Sequence, residues 1–183
     1  MPFPKRYAEF AARLRVPAGF LVAASFLWFA QPSWQSLGLG ALVALAGLGL
    51  RAWAAGHLRK NQQLATSGPY AHVRNPLYVG SLIVAAGFGL AGSHLGVALA
   101  LLAFFILVYL PVVEEEEGHI AKILEGFDDY RRRVPRFFPA LTPQYAQPEA
   151  FDPSLYLKNR EYEALIAFLI VMGVLAAKAS NLV

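Results

Sequence analysis

Residues 75–113 read NPLYVGSLIVAAGFGLAGSHLGVALALLAFFILVYLPVV, with no Asp, Glu, Lys or Arg anywhere along them. A helix needs about 20 apolar residues to cross a bilayer, so this stretch has room for two crossings. The polar turn between them is Ala91-Gly92-Ser93-His94. Residues 16–50 repeat the arrangement: uncharged throughout and broken once, at Gln31-Pro32-Ser33-Trp34-Gln35-Ser36. Four spans are expected, roughly Val16–Ala30, Leu37–Ala55, Leu77–Leu90 and Leu95–Val113, the first extended by tilt or by the interfacial Trp28 and Trp34. A fifth runs from about Ala164 to Val183, interrupted only by Lys178, whose long stem lets its charge snorkel. The predicted fold class is therefore all-α, a polytopic integral membrane bundle of about five helices.

Composition supports this class. The chain has 183 residues, 57% of them hydrophobic and 15% charged, against about a quarter charged in soluble domains. It cannot cover its surface with polar side chains, and an aromatic content of 13% excludes disorder. We expect one domain over 1–183, with a motif-bearing core at 56–139 and a loop and last span at 140–183. The absence of Cys removes disulfides, thiolate metal sites and thiol nucleophiles. The net charge of +4 is spread over span-flanking segments rather than gathered on a soluble face, so no nucleic-acid partner is expected.

Of the 16 Lys and Arg residues, all but Lys178 fall in segments 1–15, 56–76 and 114–163 or at Arg51, the inner end of span two. The positive-inside rule then puts the N-terminus in the cytoplasm and the C-terminus outside. Both outer loops are short, so the chemistry is expected on the cytoplasmic side.

Two patterns point elsewhere and fail. Gly87-Phe88-Gly89-Leu90-Ala91-Gly92 spells a dinucleotide fingerprint, but it ends a membrane span with no strand before it, and reads better as helix packing or a turn. The glycines at 38, 40, 47 and 49 read likewise as small-residue helix contacts. His57, His72, His94 and His119 have no recognisable metal-ligand spacing, so no metal is assigned.

Two polar stretches remain. Leu64-Ala65-Thr66-Ser67-Gly68-Pro69-Tyr70 carries a Ser-Gly-Pro turn, followed by Ala71-His72-Val73-Arg74-Asn75-Pro76-Leu77-Tyr78-Val79-Gly80. Pro76 suits the first turn of a helix, and Arg74 the phosphate level. The segment is either an ordinary span entry or a polar, aromatic pocket built on free helix-start N–H groups. The second stretch is Glu114-Glu115-Glu116-Glu117, then Asp128-Asp129-Tyr130-Arg131-Arg132-Arg133-Val134-Pro135-Arg136-Phe137-Phe138-Pro139. Successive helical positions are about 100° apart, so one or two of the four carboxylates can face a ligand while the rest are solvated. The basic, aromatic run reads as an interfacial segment on anionic lipid, with Phe137 and Phe138 dipping in.

Taken together, Gly68 and Tyr70, then Arg74, Pro76, Tyr78 and Gly80, then Glu115 and Glu116, then Tyr130, Val134 and Pro135 resemble the isoprenylcysteine carboxyl methyltransferase family. Its bacterial membrane members are related to the phospholipid methyltransferases. The resemblance covers roughly residues 56–139. It implies methyl transfer from S-adenosylmethionine to a lipid-like or prenylated acceptor in a membrane, here the bacterial inner membrane. The cofactor-binding positions it implies are Gln62, Gln63, Leu64, Ala65, Tyr70, Asn75, Pro76, Leu77, Tyr78 and Glu115. Glu114 and Glu117, pointing in other helical directions, are expected to be silent. Asn75 stands where the family has His, and Ile123-Leu124 replaces a Phe-Gly pair. Pro111 occupies the place of an Arg that contacts substrate in eukaryotic members. Arg74 and Arg133, with Arg136, are the candidate catalytic, substrate-side cations. An amine or phospholipid N-methyltransferase is the alternative within the same chemistry. A non-catalytic sensor or transporter subunit is the alternative outside it.

Overall fold

The computed structural model describes residues 3–145 and 149–181, and every regular element in that range is helical. Five apolar helices form the bundle: α1 (Lys5–Phe29), α2 (Trp34–Ala55), α3 (Pro76–Gly92), α4 (Leu95–Ile123) and α7 (Tyr162–Ala179). Two short helices, α5 (Phe127–Arg133) and α6 (Pro153–Lys158), lie between the last two, and a single 3₁₀ turn (Gly68–Ala71) precedes α3. Four of the five are long and apolar enough to cross a membrane; α3, at 17 residues, is a shorter apolar helix of about 25 Å. The expected helical membrane bundle is the observed fold. The expected end of the fifth span at Val183 lies outside the described residues.

The polar breaks work as caps. Ser33 and Ser36 form a reciprocal capping box that starts α2: each backbone N–H donates to the other's hydroxyl, at 2.9 and 3.1 Å. Ser36 also donates to the Ala91 carbonyl, while Gln31 N–H donates to Gly92 O, tying both turns at this end of the bundle together. Lys178 does more than snorkel: its Nζ donates to the Leu27 and Trp28 carbonyls at 2.9 and 3.0 Å, capping the C-terminus of α1.

Helices α2 and α3 form the closest pair. A Cβ on Gly40 would lie 2.5 Å from the Gly87 carbonyl oxygen, and one on Gly47 2.7 Å from that of Gly80. The seven-residue spacing on both helices brings backbone to backbone twice along one seam. Gly38 and Gly49 have nothing within 4 Å, so only the inner pair of the four α2 glycines is used for contact. Gly92 of the false dinucleotide fingerprint accommodates the Phe26 ring. Large apolar side chains such as Phe20, Leu21, Trp28 and Leu95 face outward, as a lipid-facing surface requires.

Helix α4 departs from the expected boundary. It runs ten residues past Val113 and carries Glu114 to Glu117 as regular helix. It also contains one π turn, Phe105–Tyr109. Pro111 explains the turn, since it lacks the N–H that the Leu107 carbonyl four residues earlier would accept, and its ring crowds that oxygen. The freed Leu107 oxygen instead accepts from the Tyr7 hydroxyl of α1 at 2.7 Å. Helix α1 begins at Lys5, well before the expected Val16, and this contact fastens its first turns to α4.

Candidate functional site

The alternating helix directions put the start of α1, the end of α2, the start of α3, the end of α4 and the start of α7 at one end of the bundle. The long polar segments 56–75 and 124–161 close over that end. Gly68 shapes the first of them: its φ of 55° lies in the left-handed region, and a Cβ there would sit 2.6 Å from the His57 ring. His57 is buried, with Nδ1 3.0 Å from Ser67 Oγ, and burial lowers its pKa. The turn delivers Tyr70 into the interior, where burial raises its hydroxyl pKa above the ordinary phenol value.

The second segment is strapped to the first. Tyr130 donates from its hydroxyl to the Tyr70 carbonyl at 2.8 Å, a fully buried bond. Arg74 N–H donates to Pro135 O, and Ala140 N–H to His72 O. The Tyr-x-x-x-Val-Pro ending thus holds the Gly-x-Tyr turn in place, which is why both occur in one pattern.

Glu117 is the hub beneath this strap. It is buried and accepts from Asn75 Nδ2 and Arg136 Nη2, each at 2.7 Å, with Arg74 Nε 3.3 Å away. Asn75 therefore links the start of α3 to α4. The expectation that the carboxylates not facing a ligand are solvated is corrected: Glu114 and Glu117 are both buried, their helical directions inward. A second anchor is Arg51, whose Nε and Nη2 bind the Glu161 carboxylate while Nη1 reaches Ser81 Oγ at 2.5 Å. Gly80 leaves the room: a Cβ there would meet Arg51 Cγ at 2.6 Å.

Between these anchors lies a cavity of about 450 Å³. Gln63, Leu64, Ala65, Tyr70, Arg74, Asn75, Pro76, Leu77 and Tyr78 all line it, as do Tyr109 and Glu116 from α4. Tyr78 packs edge-on against Tyr109 at 5.7 Å, and its hydroxyl sits against the Glu116 carboxylate. Four of the residues named from sequence fall elsewhere, among them Arg136, which is bound to Glu117 instead. Gln62 is exposed in the turn and does not line the cavity. Glu115 is rotated away from it, one helical position before Glu116. Arg133 is exposed outside it, paired with Asp129 at 3.0 Å and lying over the Tyr145 ring. The sequence reading missed Arg15, Arg51, Tyr109 and Glu117. Tyr109 and Glu116 were detectable, being seven residues apart and so on one helical face; Arg15 and Arg51 were read only as membrane-flanking charges. Among the described residues no group of three His, Asp or Glu side chains is placed to hold a metal ion.

The cavity's size suits a cofactor-sized ligand. Its chemistry suits a cation carrying an apolar ring system: the Glu116 carboxylate, paired only loosely with Arg15 at 3.6 Å, four tyrosines and the apolar walls of Leu64, Ala65 and Leu77.

Residues 36–126, which run from α2 to just past the end of α4, match the phospholipid methyltransferase family. That family is related to the one the motifs resemble. The chain is 38% identical over 138 residues to the cobalt-zinc-cadmium resistance protein CzcN of Cupriavidus metallidurans, covering 70% of this chain and 62% of that one. To the nickel-cobalt-cadmium resistance protein NccN of Alcaligenes xylosoxydans xylosoxydans it is 37% identical over 106 residues, 57% of this chain and 48% of that one. It thus spans between about half and two thirds of the curated relatives it matches. No solved structure matches the chain.

Proposed function

From a chain whose residues 36–126 match a membrane methyltransferase family, we propose an S-adenosylmethionine-dependent methyltransferase acting on an amphiphilic acceptor at the cytoplasmic face of a bacterial inner membrane. The observation that carries this reading is the cavity at one end of the bundle, where the loop residues Gln63, Leu64 and Ala65 face Tyr70, Tyr78, Tyr109 and Glu116. When bound, S-adenosylmethionine supplies an electrophilic methyl on a sulfonium: the acceptor lone pair forms the new bond as the carbon–sulfur bond breaks, its electron pair remaining on sulfur.

The protein's part is binding and alignment. Glu116 offers a carboxylate to positive charge, and the Tyr78 and Tyr109 faces stabilise it further. Leu64, Ala65 and Leu77 supply apolar walls for a planar base. Arg74 is tied to Glu117 and to the Arg131 carbonyl, so its role here is to hold the α3 entry rather than to act on substrate. Among the described residues the bases that line the cavity are Glu116, Glu117 and His119, and a displacement of this kind needs alignment more than proton removal.

A phospholipid head group is the second acceptor reading, favoured by the description of the matching family. The test is incubation of the purified full chain with methyl-labelled S-adenosylmethionine and a panel of prenyl-cysteines, phospholipids, amines and thiols. Label in one acceptor class identifies the acceptor. Bound cofactor without transfer to any class would contradict the enzymatic reading and favour a non-catalytic membrane protein.

A further inference from the structure

The cavity has two kinds of wall. One is the polar loop around Lys60, Asn61 and Gln63; the other is membrane helix, with Arg15 from α1, Tyr78 from α3, and Tyr109 and Glu116 from α4. Four basic side chains line it, and they are not equivalent. Arg51 is held by Glu161, Ser81 and the Leu77 carbonyl. Arg74 is held by Glu117 and the Arg131 carbonyl. Lys60 is exposed on the loop at the solvent mouth.

Arg15 is different. It stands on the membrane-helix wall, and its guanidinium meets Glu116 only loosely, at 3.6 Å, with the two side chains 38% and 46% exposed. Such a pair adds little stability, so exchanging it for another anion costs little. Its position is built into the fold. Pro111 forces the π turn of α4 and frees the Leu107 carbonyl, Tyr7 takes that carbonyl, and α1 is thereby held along α4 with Arg15 at the cavity. Beside Arg15 the outer faces of α1 and α4 are apolar and exposed, with Phe10, Leu14, Ile106 and Leu107 turned outward.

We propose that Arg15 selects the acceptor: it binds the oxyanion, carboxylate or phosphate, of an amphiphile whose tail lies on the apolar surface beside α1 and α4. This rests on the methyltransferase reading, with the loop wall left for the cofactor. Exchange of Arg15 to the acceptor also frees Glu116 for positive charge, so the one loose pair serves both ligands. A guanidinium fork pairs with either oxyanion through two N–H donors, which a neutral head does not reward.

The experiment uses the full chain in nanodiscs and three diazirine-tailed photoprobes: palmitate, lysophosphatidic acid and palmitamide. Binding of labelled S-adenosylmethionine is measured alongside. In the wild type, label from one or both anionic probes exceeds that from the amide at least tenfold. Palmitate alone marks a carboxylate acceptor, and lysophosphatidic acid alone a phospholipid one. Arg15→Gln should abolish that preference and leave the amide label unchanged, while cofactor binding is kept or tightened, since Glu116 loses its counter-charge. Arg15→Lys should restore much of the preference, and Arg13→Gln should match the wild type. Anionic labelling by Arg15→Gln at the wild-type level overturns the proposal. So does equal loss for anionic and neutral probes, which marks a packing role. Failure of the wild type to bind S-adenosylmethionine overturns the underlying reading instead, a result the probe contrasts do not mimic.

Discussion

Removing the Glu117 carboxylate is the sharpest perturbation of the site's architecture. Glu117 is 6% exposed and meets three groups: Asn75 Nδ2 and Arg136 Nη2 at 2.7 Å, and Arg74 Nε at 3.3 Å. The Arg74 side chain is 9% exposed, so Glu117→Leu leaves a nearly buried guanidinium without its counter-charge. Breaking one side of a buried pair costs about 3–5 kcal/mol. The Arg136 contact adds less, because that side chain is 36% exposed and solvent screens it. At about 2–4 °C per kcal/mol for a chain of this size, the midpoint of thermal unfolding in detergent should fall by roughly 6–20 °C. Glu115→Leu, on the half-buried face next to it, should fall by much less. Arg74→Met combined with Glu117→Leu should recover a large part of the loss, since removing both charges leaves neither orphaned. A double variant as unstable as the sum of the singles, or a Glu117→Leu midpoint equal to that of Glu115→Leu, would refute the hub role.

Gly87→Val should prevent α2 and α3 from packing, because a Cβ there meets the Ala44 backbone nitrogen at 2.5 Å, whereas Gly49→Ala meets nothing and should leave the midpoint unchanged or slightly raised; both are read by thermal unfolding. Burial lowers the pKa of His57 from its ordinary 6.5, so the unfolded chain takes up that proton first as pH falls. The stability it contributes is therefore whole above about pH 6.5 and declines below it; His57→Gln should flatten that decline in a series of unfolding midpoints. Reporter fusions after residue 65 and after residue 145 should report the same compartment, the cytoplasm, since both segments close one end of the bundle; opposite compartments would break the topology.

Charge-free stretches locate the spans well, because the cost of a buried charge is paid wherever it occurs along the chain. They locate helix ends poorly. Hydropathy records where lipid stops, and Glu is a good helix former, so α4 continues through Glu114 to Glu117 after its apolar part has ended. The same holds at the other end of the chain, where α1 is helical from Lys5. The cavity residues that were legible follow one another along the 63–78 segment; those brought in by α1, the end of α2, α4 and α5 were not. The loosely paired carboxylate that lines the cavity is Glu116, one position after the Glu115 named from sequence. A π turn holds an extra residue, and one residue turns every later side chain by about 100°. Only Pro111 hints at that turn in the sequence, and its effect depends on Tyr7 being near enough to accept the consequence. Glu117, Arg15 and Arg51 owe their roles to partners from 19 to 110 residues away, and no local pattern encodes such pairs.

The central claim is that the cavity between the 60–65 loop and the ends of α3 and α4 binds S-adenosylmethionine, with Glu116 facing its positive charge. Calorimetric titration of the purified chain tests it directly. The wild type should bind, Glu116→Gln should lose roughly 1.5–3 kcal/mol of binding free energy, the scale of a charged hydrogen bond, and Glu115→Gln should stay within a few tenths of the wild type. A wild type that does not bind, or equal losses at Glu115 and Glu116, would contradict it.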